Sequence, residues 1–392
     1  MTPTVFRLLL LLAVAVAGCA TVAPPAPPAS TAPSGAPITR TEPIAPAPIA
    51  PAPAPPVPPL PAPASPAQIA VEHGYALLTR GEMSSAATAF REAIRLQPDL
   101  VPARAGLGRA LYALGDLDAA LAELRATLRQ QPDATAVRLT LAHVLVARQD
   151  WPAARAELER VLAEQPELLD ARYTLGVVRY GQGDTAGAID AYRRVLAADP
   201  RQPDARYNLA LLLRLDRRDA EATAEFLTAA QAGHPLAEYF AGAALASGLG
   251  VDRDLAAAVT WWFRAAEQGV TQAEEALAQL RQVALGRGRR GPAERQAAQQ
   301  AFAEYRTVLW KEFPDVARDG EDGVGSALLR QGRAREAVPV LIREAAALNE
   351  AAQRLLETIY ERGVDGELPA RDPRVLGYLE AAAAEGRRPP IR

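Results

Sequence analysis

The chain has 392 residues, 43 Lys and Arg against 46 Asp and Glu, and a formal net charge of −3. Because nucleic-acid-binding domains carry a clustered basic excess, this balance argues against a nucleic-acid partner. Aromatic residues make up only 5% of the chain, and Cys19 is its one cysteine. An internal disulfide is therefore excluded, and stability must come from a packed apolar core.

The first 19 residues have the order of a bacterial export signal. Arg7 gives a weak positive charge, and Leu8 to Ala17 form an unbroken apolar run. The run is shorter than the ~20 residues of a membrane-spanning helix, but it fits the apolar part of a secretory signal, about 7–15 residues. Small residues at 16–18 directly precede Cys19. This order resembles the signal of bacterial lipoproteins; the alternative is an ordinary signal peptide with a chance cysteine.

The lipoprotein resemblance implies a processed and anchored protein. Residues 1–18 would be removed, and Cys19 would carry lipid and attach the chain to the membrane. In that family, Ala20 directly after the lipidated cysteine favours the outer membrane over retention at the inner one. The expected location is the outer membrane, facing the periplasm.

A linker is predicted for residues 19–66. Residues 24–66 hold 18 of the 34 prolines, mixed with Ala and almost without charge or aromatic residues. Such a segment cannot bury enough apolar surface to offset its ordering entropy, so we expect a disordered, extended tether. The tether either acts as a passive spacer or carries the folded part of the protein away from the membrane and through the cell wall.

A period of 34 residues follows. It appears in prolines, in small residues and in large apolar residues four positions after a recurring alanine. The members are Pro98, Pro132, Pro166 and Pro200; Gly74, Gly108, Ala142, Gly176 and Ala210; Ala86, Ala120, Ala154, Ala188 and Ala222; and Phe90, Leu124, Leu158, Tyr192 and Phe226. The pattern resembles the tetratricopeptide repeat (TPR), a helix-turn-helix of 34 residues, over 67–233 in about five repeats.

The residue types explain the period. Gly108 and Gly176 allow close helix approach, since no Cβ intervenes. Glycine followed by aspartate at 115–116 and 183–184 suits a turn between the two helices of a repeat, with Gly in the left-handed conformation and Asp capping the next helix. Each proline should end the second helix. One departure is Arg at repeat position four, where the family commonly has Trp: Arg104, Arg138, Arg172 and Arg206.

The remaining chain has a different spacing. Residues 234–285 resemble the Sel-one-like repeat, a TPR relative with a longer loop between its helices, and Trp261 matches its core aromatic. Trp262 is expected to pack in an interface or to be exposed. Residues 286–320 match nothing and are predicted as an irregular connector with one helix near 293–310. Residues 321–392 resemble divergent Sel-like repeats. The fold expected is an all-α, right-handed α-solenoid of antiparallel helix pairs with a concave surface.

No catalytic or metal constellation is evident. The GRGRRG run at 286–291 lacks the strand that a dinucleotide motif needs. The acidic run from Asp315 has Ala317 and Ser326 where a calcium loop needs ligands. The three histidines, His73, His143 and His234, lie in different repeats. We expect no enzymatic activity, no cofactor, no metal and no small-molecule substrate.

A partner-binding groove is expected on the first helices of repeats 2–5. Positions i, i+4 and i+7 of these helices combine aromatic and positively charged residues, which suits an extended peptide or a partner helix. Tyr and Asn at some of these positions are also common framework residues of the repeat. The groove is predicted from Arg109, Tyr112, His143, Tyr173, Tyr180, Tyr207, Asn208 and Arg214.

These patterns together predict a non-catalytic, lipid-anchored periplasmic adaptor that binds other cell-envelope proteins. Three families of outer-membrane lipoproteins with related repeats offer parallels. Exopolysaccharide-export scaffolds share the Sel-like repeats, and pilus-assembly lipoproteins use TPRs to help a secretin assemble. Activators of peptidoglycan synthases share a long linker and are the alternative. A carbohydrate-binding protein is the alternative of another class.

Overall fold

The computed structural model describes residues 65–287, 289–316, 323–364 and 367–387. The predicted signal peptide, Cys19 and nearly all of the predicted linker lie outside these ranges, and so does most of the acidic turn near 319–323. The described residues fall into two compact units, one up to Glu167 and one from Leu168 onward.

Helices are the regular structure of the described residues; one isolated bridge joins Val364 and Leu368. The first unit contains α1 Pro66–Thr79, α2 Met83–Leu96, α3 Val101–Ala113, α4 Leu117–Gln130, α5 Thr135–Ala147 and α6 Trp151–Glu164. Successive helices pair as α1 with α2, α3 with α4 and α5 with α6, and the first helices of neighbouring pairs also touch. We refer to α1, α3 and α5 as the A helices of this unit and to their partners as B helices.

The second unit continues in helix pairs and then becomes less regular. Its helices are α7 Leu169–Gly181, α8 Thr185–Ala198, α9 Pro203–Leu215, α10 Asp219–Gln231, α11 Pro235–Ser247, α12 Leu255–Glu267, α13 Thr271–Ala284, α14 Pro292–Glu312, α15 Val324–Arg330, α16 Ala334–Ala346, α17 Glu350–Arg362 and α18 Pro373–Ala384. Helix α12 packs against both α13 and α14, and α15 pairs with α16. The predicted all-α fold of consecutive helix pairs is confirmed.

The 34-residue period sets the helix junctions as expected. Gly115 and Gly183 have φ values of 81° and 86°, and the following Asp116 and Asp184 accept from the backbone N–H three residues later. The second helices end at Leu96, Gln130, Glu164 and Ala198, two residues before the periodic prolines. Local turn chemistry therefore fixes where each helix begins and ends.

Small residues on the A helices make room for one large side chain from the B helix. A Cβ on Gly74 or Gly106 would lie 2.6 or 2.3 Å from the Phe90 ring, and a Cβ on Gly176 would lie 2.9 Å from Tyr192. Phe90 and Tyr192 are fully buried. The two glycines predicted to permit close packing do so: Gly176 accommodates Tyr192, and a Cβ on Gly108 would lie 2.7 Å from the Leu124 side chain.

Trp261, predicted as the core aromatic, is not the buried member of the tryptophan pair; Trp262 is, in agreement with one of the two alternatives predicted for it. Trp262 is buried, and a Cβ on Gly242 would lie 2.6 Å from its Nε1 atom. Trp262 Nε1 also donates to the Tyr239 carbonyl at 3.3 Å. Trp261 is only partly buried at the edge of the core. Gly242 on α11 leaves room for the indole of Trp262, so the core position falls on the second tryptophan.

Candidate protein-binding faces

The A helices of the first unit present a mixed aromatic and cationic face. Tyr75 on α1, Arg109 and Tyr112 on α3, and His143 on α5 belong to it. Tyr75 and Arg109 are exposed, and Tyr112 and His143 are partly exposed. The spacing of 34 residues from Tyr75 to Arg109 and from Arg109 to His143 places the three at equivalent points of adjacent repeats. We refer to these four residues as the Arg109 face.

The aromatic members of the Arg109 face are held in place by the fold. The rings of Tyr112 and His143 stack with centroids 6.5 Å apart and an interplanar angle of 25°. Tyr75 packs edge-on against Phe90 at 5.1 Å, and its hydroxyl donates to the Pro102 carbonyl at 3.1 Å. Rings fixed in this way can contact a partner with little further loss of conformational freedom.

The Arg109 guanidinium is exposed and close enough to Tyr75 to affect it. Partial burial raises the pKa of the Tyr75 hydroxyl, and the positive charge of Arg109 opposes this rise. Within the described residues, no carboxylate forms an ion pair with Arg109, in contrast to Arg104 and Arg138. Arg109 therefore offers N–H donors and a positive charge to an incoming acidic group.

Arginine at repeat position four is structural. Arg104 donates to Glu123 Oε2 at 3.0 Å, Arg138 to Glu157 Oε2 at 2.6 Å and Arg206 to Glu225 Oε2 at 2.5 Å. Each arginine also donates to the carbonyl of the proline six residues earlier: Pro98, Pro132 and Pro200, respectively. These arginines tie an A helix to its B helix and to the preceding turn, and so they occupy the place of the family's tryptophan.

The second unit buries three of the residues predicted to bind a partner. Tyr173, Tyr207 and Asn208 are 8%, 0% and 0% exposed. Asn208 Nδ2 donates to the Tyr173 hydroxyl at 2.7 Å, and Tyr207 stacks on His234 with centroids 4.4 Å apart. Their prediction as groove residues was wrong, because they complete the interior contacts between repeats.

Tyr180 and Arg214 remain partly exposed in the second unit. The Arg214 guanidinium lies 5.5 Å from the centre of the buried Phe240 ring, a cation–π contact. Nearby Tyr239 is half-buried; burial raises the pKa of its hydroxyl, and Arg214 lowers it. These side chains form a smaller surface whose cation is already packed on a ring, so it is a weaker candidate than the Arg109 face.

Sequence reasoning missed Tyr75. The predicted groove began with the second repeat, although the 34-residue register from Arg109 points back to position 75. The Arg–Glu ion pairs could also have been predicted from the repeat, since Glu123, Glu157 and Glu225 each follow their arginine by 19 residues. In the fourth repeat the residue 19 positions after the arginine is Ala191 instead of glutamate, so this repeat departs from the Arg–Glu spacing.

The described residues contain no group of three or more His, Cys, Asp or Glu placed to hold a metal ion. Within the same ranges, no helix has the length and apolar character needed to cross a membrane. The GRGRRG run has structural contacts: Arg287 donates to the carbonyls of Glu385 and Gly386 at 2.7 and 2.8 Å, and Arg290 pairs with Glu294 at 2.8 Å.

Comparison with known proteins supports the repeat assignment. Residues 62–236 match the family model described as the TPR domain of cytochrome c-type biogenesis protein H. This part of the chain consists of TPR-type repeats. The match spans less than half of the chain and leaves the later helices outside it. No curated protein sequence matches the chain.

Several solved structures resemble part of the chain. MamA from Desulfovibrio magneticus is 22% identical, with 42% of this chain and 94% of that chain covered at a TM-score of 0.40. Another MamA crystal structure is 23% identical, with coverages of 42% and 97% and a TM-score of 0.38. A thermophilic TPR protein from Thermus thermophilus is 22% identical, with coverages of 42% and 90% and a TM-score of 0.37.

Proposed function

We propose that this protein is a non-catalytic adaptor that holds a peptide segment of another protein on the Arg109 face. The observation that carries the proposal is the exposed Arg109, which shares the face of the A helices with the fixed rings of Tyr75, Tyr112 and His143. Repeat proteins of this class bind partners along the surface formed by equivalent positions of successive repeats. The TPR-type repeats support protein interaction as the general role.

The chemistry of the face favours an extended segment with an acidic residue near an aromatic or aliphatic one. A carboxylate of the partner would accept charge-assisted hydrogen bonds from Arg109. An apolar side chain beside it would pack on Tyr75 or on the Tyr112–His143 pair, where rigid rings give contact area at low entropic cost. The expected partners are cell-envelope proteins, consistent with the predicted export signal.

The anchoring proposal has separate support. The order of residues 7–19 supports lipidation at Cys19, and Ala20 supports an outer-membrane location facing the periplasm. The Pro- and Ala-rich segment would then tether the helical units to the membrane. Exopolysaccharide export and secretin or pilus assembly are the proposed systems, with activation of a peptidoglycan synthase through the tether as the alternative.

The adaptor proposal is tested by in-cell crosslinking and pull-down of the full chain, followed by mass spectrometry. The wild type is compared with Arg109→Glu, and Arg125→Glu serves as the matched control, because Arg125 is exposed on the B helix α4. We expect one set of envelope proteins to be captured by the wild type and the control and lost in Arg109→Glu. Equal capture by all three would contradict the assignment of the face.

A further inference from the structure

The second unit has a groove between α12 and α14 that the adaptor role leaves unused. It consists of two adjoining cavities of about 370 and 380 Å³ that share Ala256 and Glu304 in their walls. Trp261 and Arg264 line the first cavity; Gln300 and the loop residues 252–254 line the second. We call it the Trp261 groove.

The Trp261 groove has a fixed floor. Tyr305 lines the first cavity and is 3% exposed. Its ring stacks on Phe263 with centroids 4.0 Å apart and an interplanar angle of 6°. Because this pair belongs to the core, the floor is preformed and does not depend on a ligand. The size of each cavity is at the lower end of the range for small-ligand sites, about 300–1,000 Å³.

One wall is aromatic and partly exposed. Trp261 is half-buried, and the Arg264 guanidinium lies 5.0 Å from the centre of its ring. This contact restricts the indole and places guanidinium N–H donors beside it. Thr260 does not offer its proton to a ligand, because its hydroxyl donates to the Ala256 carbonyl at 3.1 Å. The aromatic face and the neighbouring donors are therefore the main recognition elements here.

The opposite wall and the loop are polar, with mixed charge. Gln300 Nε2 donates to Glu304 Oε1 at 2.8 Å, and both residues are exposed. Asp252 and Asp254 lie at the far end beside Arg253. An acyl chain would desolvate these groups without replacing their hydrogen bonds. A phosphate would face three carboxylates, and a strongly cationic ligand would face two guanidinium groups.

A neutral, polyhydroxylated ligand fits all of these groups. Its hydroxyls can donate to Glu304, Asp252 or Asp254 and accept from Arg264 or Gln300, and its C–H face can pack on the indole. We propose that the Trp261 groove binds a neutral saccharide, with Trp261 as the stacking wall and Arg264, Gln300 and Glu304 as partners of its hydroxyl groups. The site is independent of the Arg109 face.

The test is calorimetric titration of the full chain with a β-1,4-linked tetrasaccharide of N-acetylglucosamine. Trp261→Ala should weaken binding about tenfold or more, since the aromatic contact is removed, while Trp261→Tyr should retain part of it. Trp151→Ala is the matched control, because Trp151 is also half-buried but lies outside both cavities. Melting followed by circular dichroism reports whether each variant remains folded.

Gln300→Ala and Glu304→Ala keep the proposal testable if Trp261→Ala unfolds, because both side chains are exposed. Each should weaken tetrasaccharide binding without changing the melting temperature. Two results would overturn the proposal. One is an absence of tetrasaccharide binding by the wild type. The other is equal binding of the tetrasaccharide by the wild type and by the folded groove variants.

Discussion

Arg138 on α5 reaches Glu157 on α6, with 2.6 Å between Nη1 and Oε2, and their side chains are only 10% and 18% exposed. The same guanidinium donates to the Pro132 carbonyl in the preceding turn. A short, charge-assisted pair in such a sheltered position is stronger than a surface pair, because water and salt screen it less. The Arg138 side chain therefore links α5, α6 and the turn that precedes α5.

Replacing Arg138 by Met should therefore destabilise the protein. The change keeps apolar contacts of the side chain but leaves Glu157 and the Pro132 carbonyl without this donor, and we expect a loss of about 1.5–3 kcal/mol in the free energy of unfolding. Urea unfolding of Arg138→Met and of the exposed control Arg125→Met measures the difference. Equal stabilities of the two variants would show that the tie contributes little.

Gly176 tests the close packing of α7 against α8. A Cβ there would lie 2.9 Å from the fully buried Tyr192 ring, so Gly176→Leu should overpack the pair and cost about 1–3 kcal/mol. Gly377→Leu is the matched control, because Gly377 is within α18 and a Cβ there has no neighbour within 4 Å. Thermal melting should fall for Gly176→Leu alone; an unchanged melting temperature would refute the predicted packing.

The buried carboxyl group of Glu344 should make the stability of the protein depend on pH. The carboxylate is 1% exposed and accepts from the backbone N–H of Val324 and Gly325 at 2.6 and 3.3 Å. Burial raises its pKa from 4.5 to about 7, although these hydrogen bonds and the charges of Arg306 and Arg343 oppose the rise. Between pH 4.5 and about pH 7 the folded state binds more protons than the unfolded state. The free energy of unfolding therefore falls as pH increases through this range.

The contribution of Glu344 can be isolated with Glu344→Gln. The amide keeps an acceptor for the helix N-terminus and does not ionise. The free energy of unfolding of the variant relative to the wild type should rise between pH 5 and pH 8, by about 2.5 kcal/mol for a shift of this size. Urea unfolding at several pH values gives this difference. A difference that stays constant with pH would contradict the raised pKa.

The anchor predicted at Cys19 is tested by Cys19→Ser. We expect the wild type in the membrane fraction and the variant in the soluble periplasmic fraction, because serine cannot carry the thioether-linked lipid. Fractionation with immunodetection is the measurement. A variant that remains in the membrane fraction would contradict lipid anchoring at this residue.

Turn and capping residues correctly predicted where the helices of the repeat region begin and end. The positions of Gly115, Asp116 and Pro132 follow from turn and capping chemistry, which acts within a few residues. The size of Phe90 complements Gly74 and Gly106, and the 34-residue period shows which positions face each other. Contacts that recur with the period are therefore readable from one sequence.

The failures concern contacts that local pattern does not determine. Tyr207 and Asn208 have residue types suited to a binding surface, but packing from the adjacent repeat buries them. Which member of the Trp261–Trp262 pair is buried depends on contact with another helix: Trp262 packs where a Cβ on Gly242 would lie 2.6 Å from its Nε1 atom. Motif matching does not distinguish which of two adjacent helix positions faces the core.

The most direct test of the adaptor account is site-specific photocrosslinking in cells. A photoreactive amino acid is placed at Ala105, which shares the α3 surface with Arg109 and Tyr112, and in a second strain at Arg125 on α4. We expect a discrete crosslinked partner from position 105, which is lost when Arg109→Glu is added, and no crosslinked partner from position 125. Crosslinks from 125 alone, or crosslinks from 105 that persist in Arg109→Glu, would contradict it.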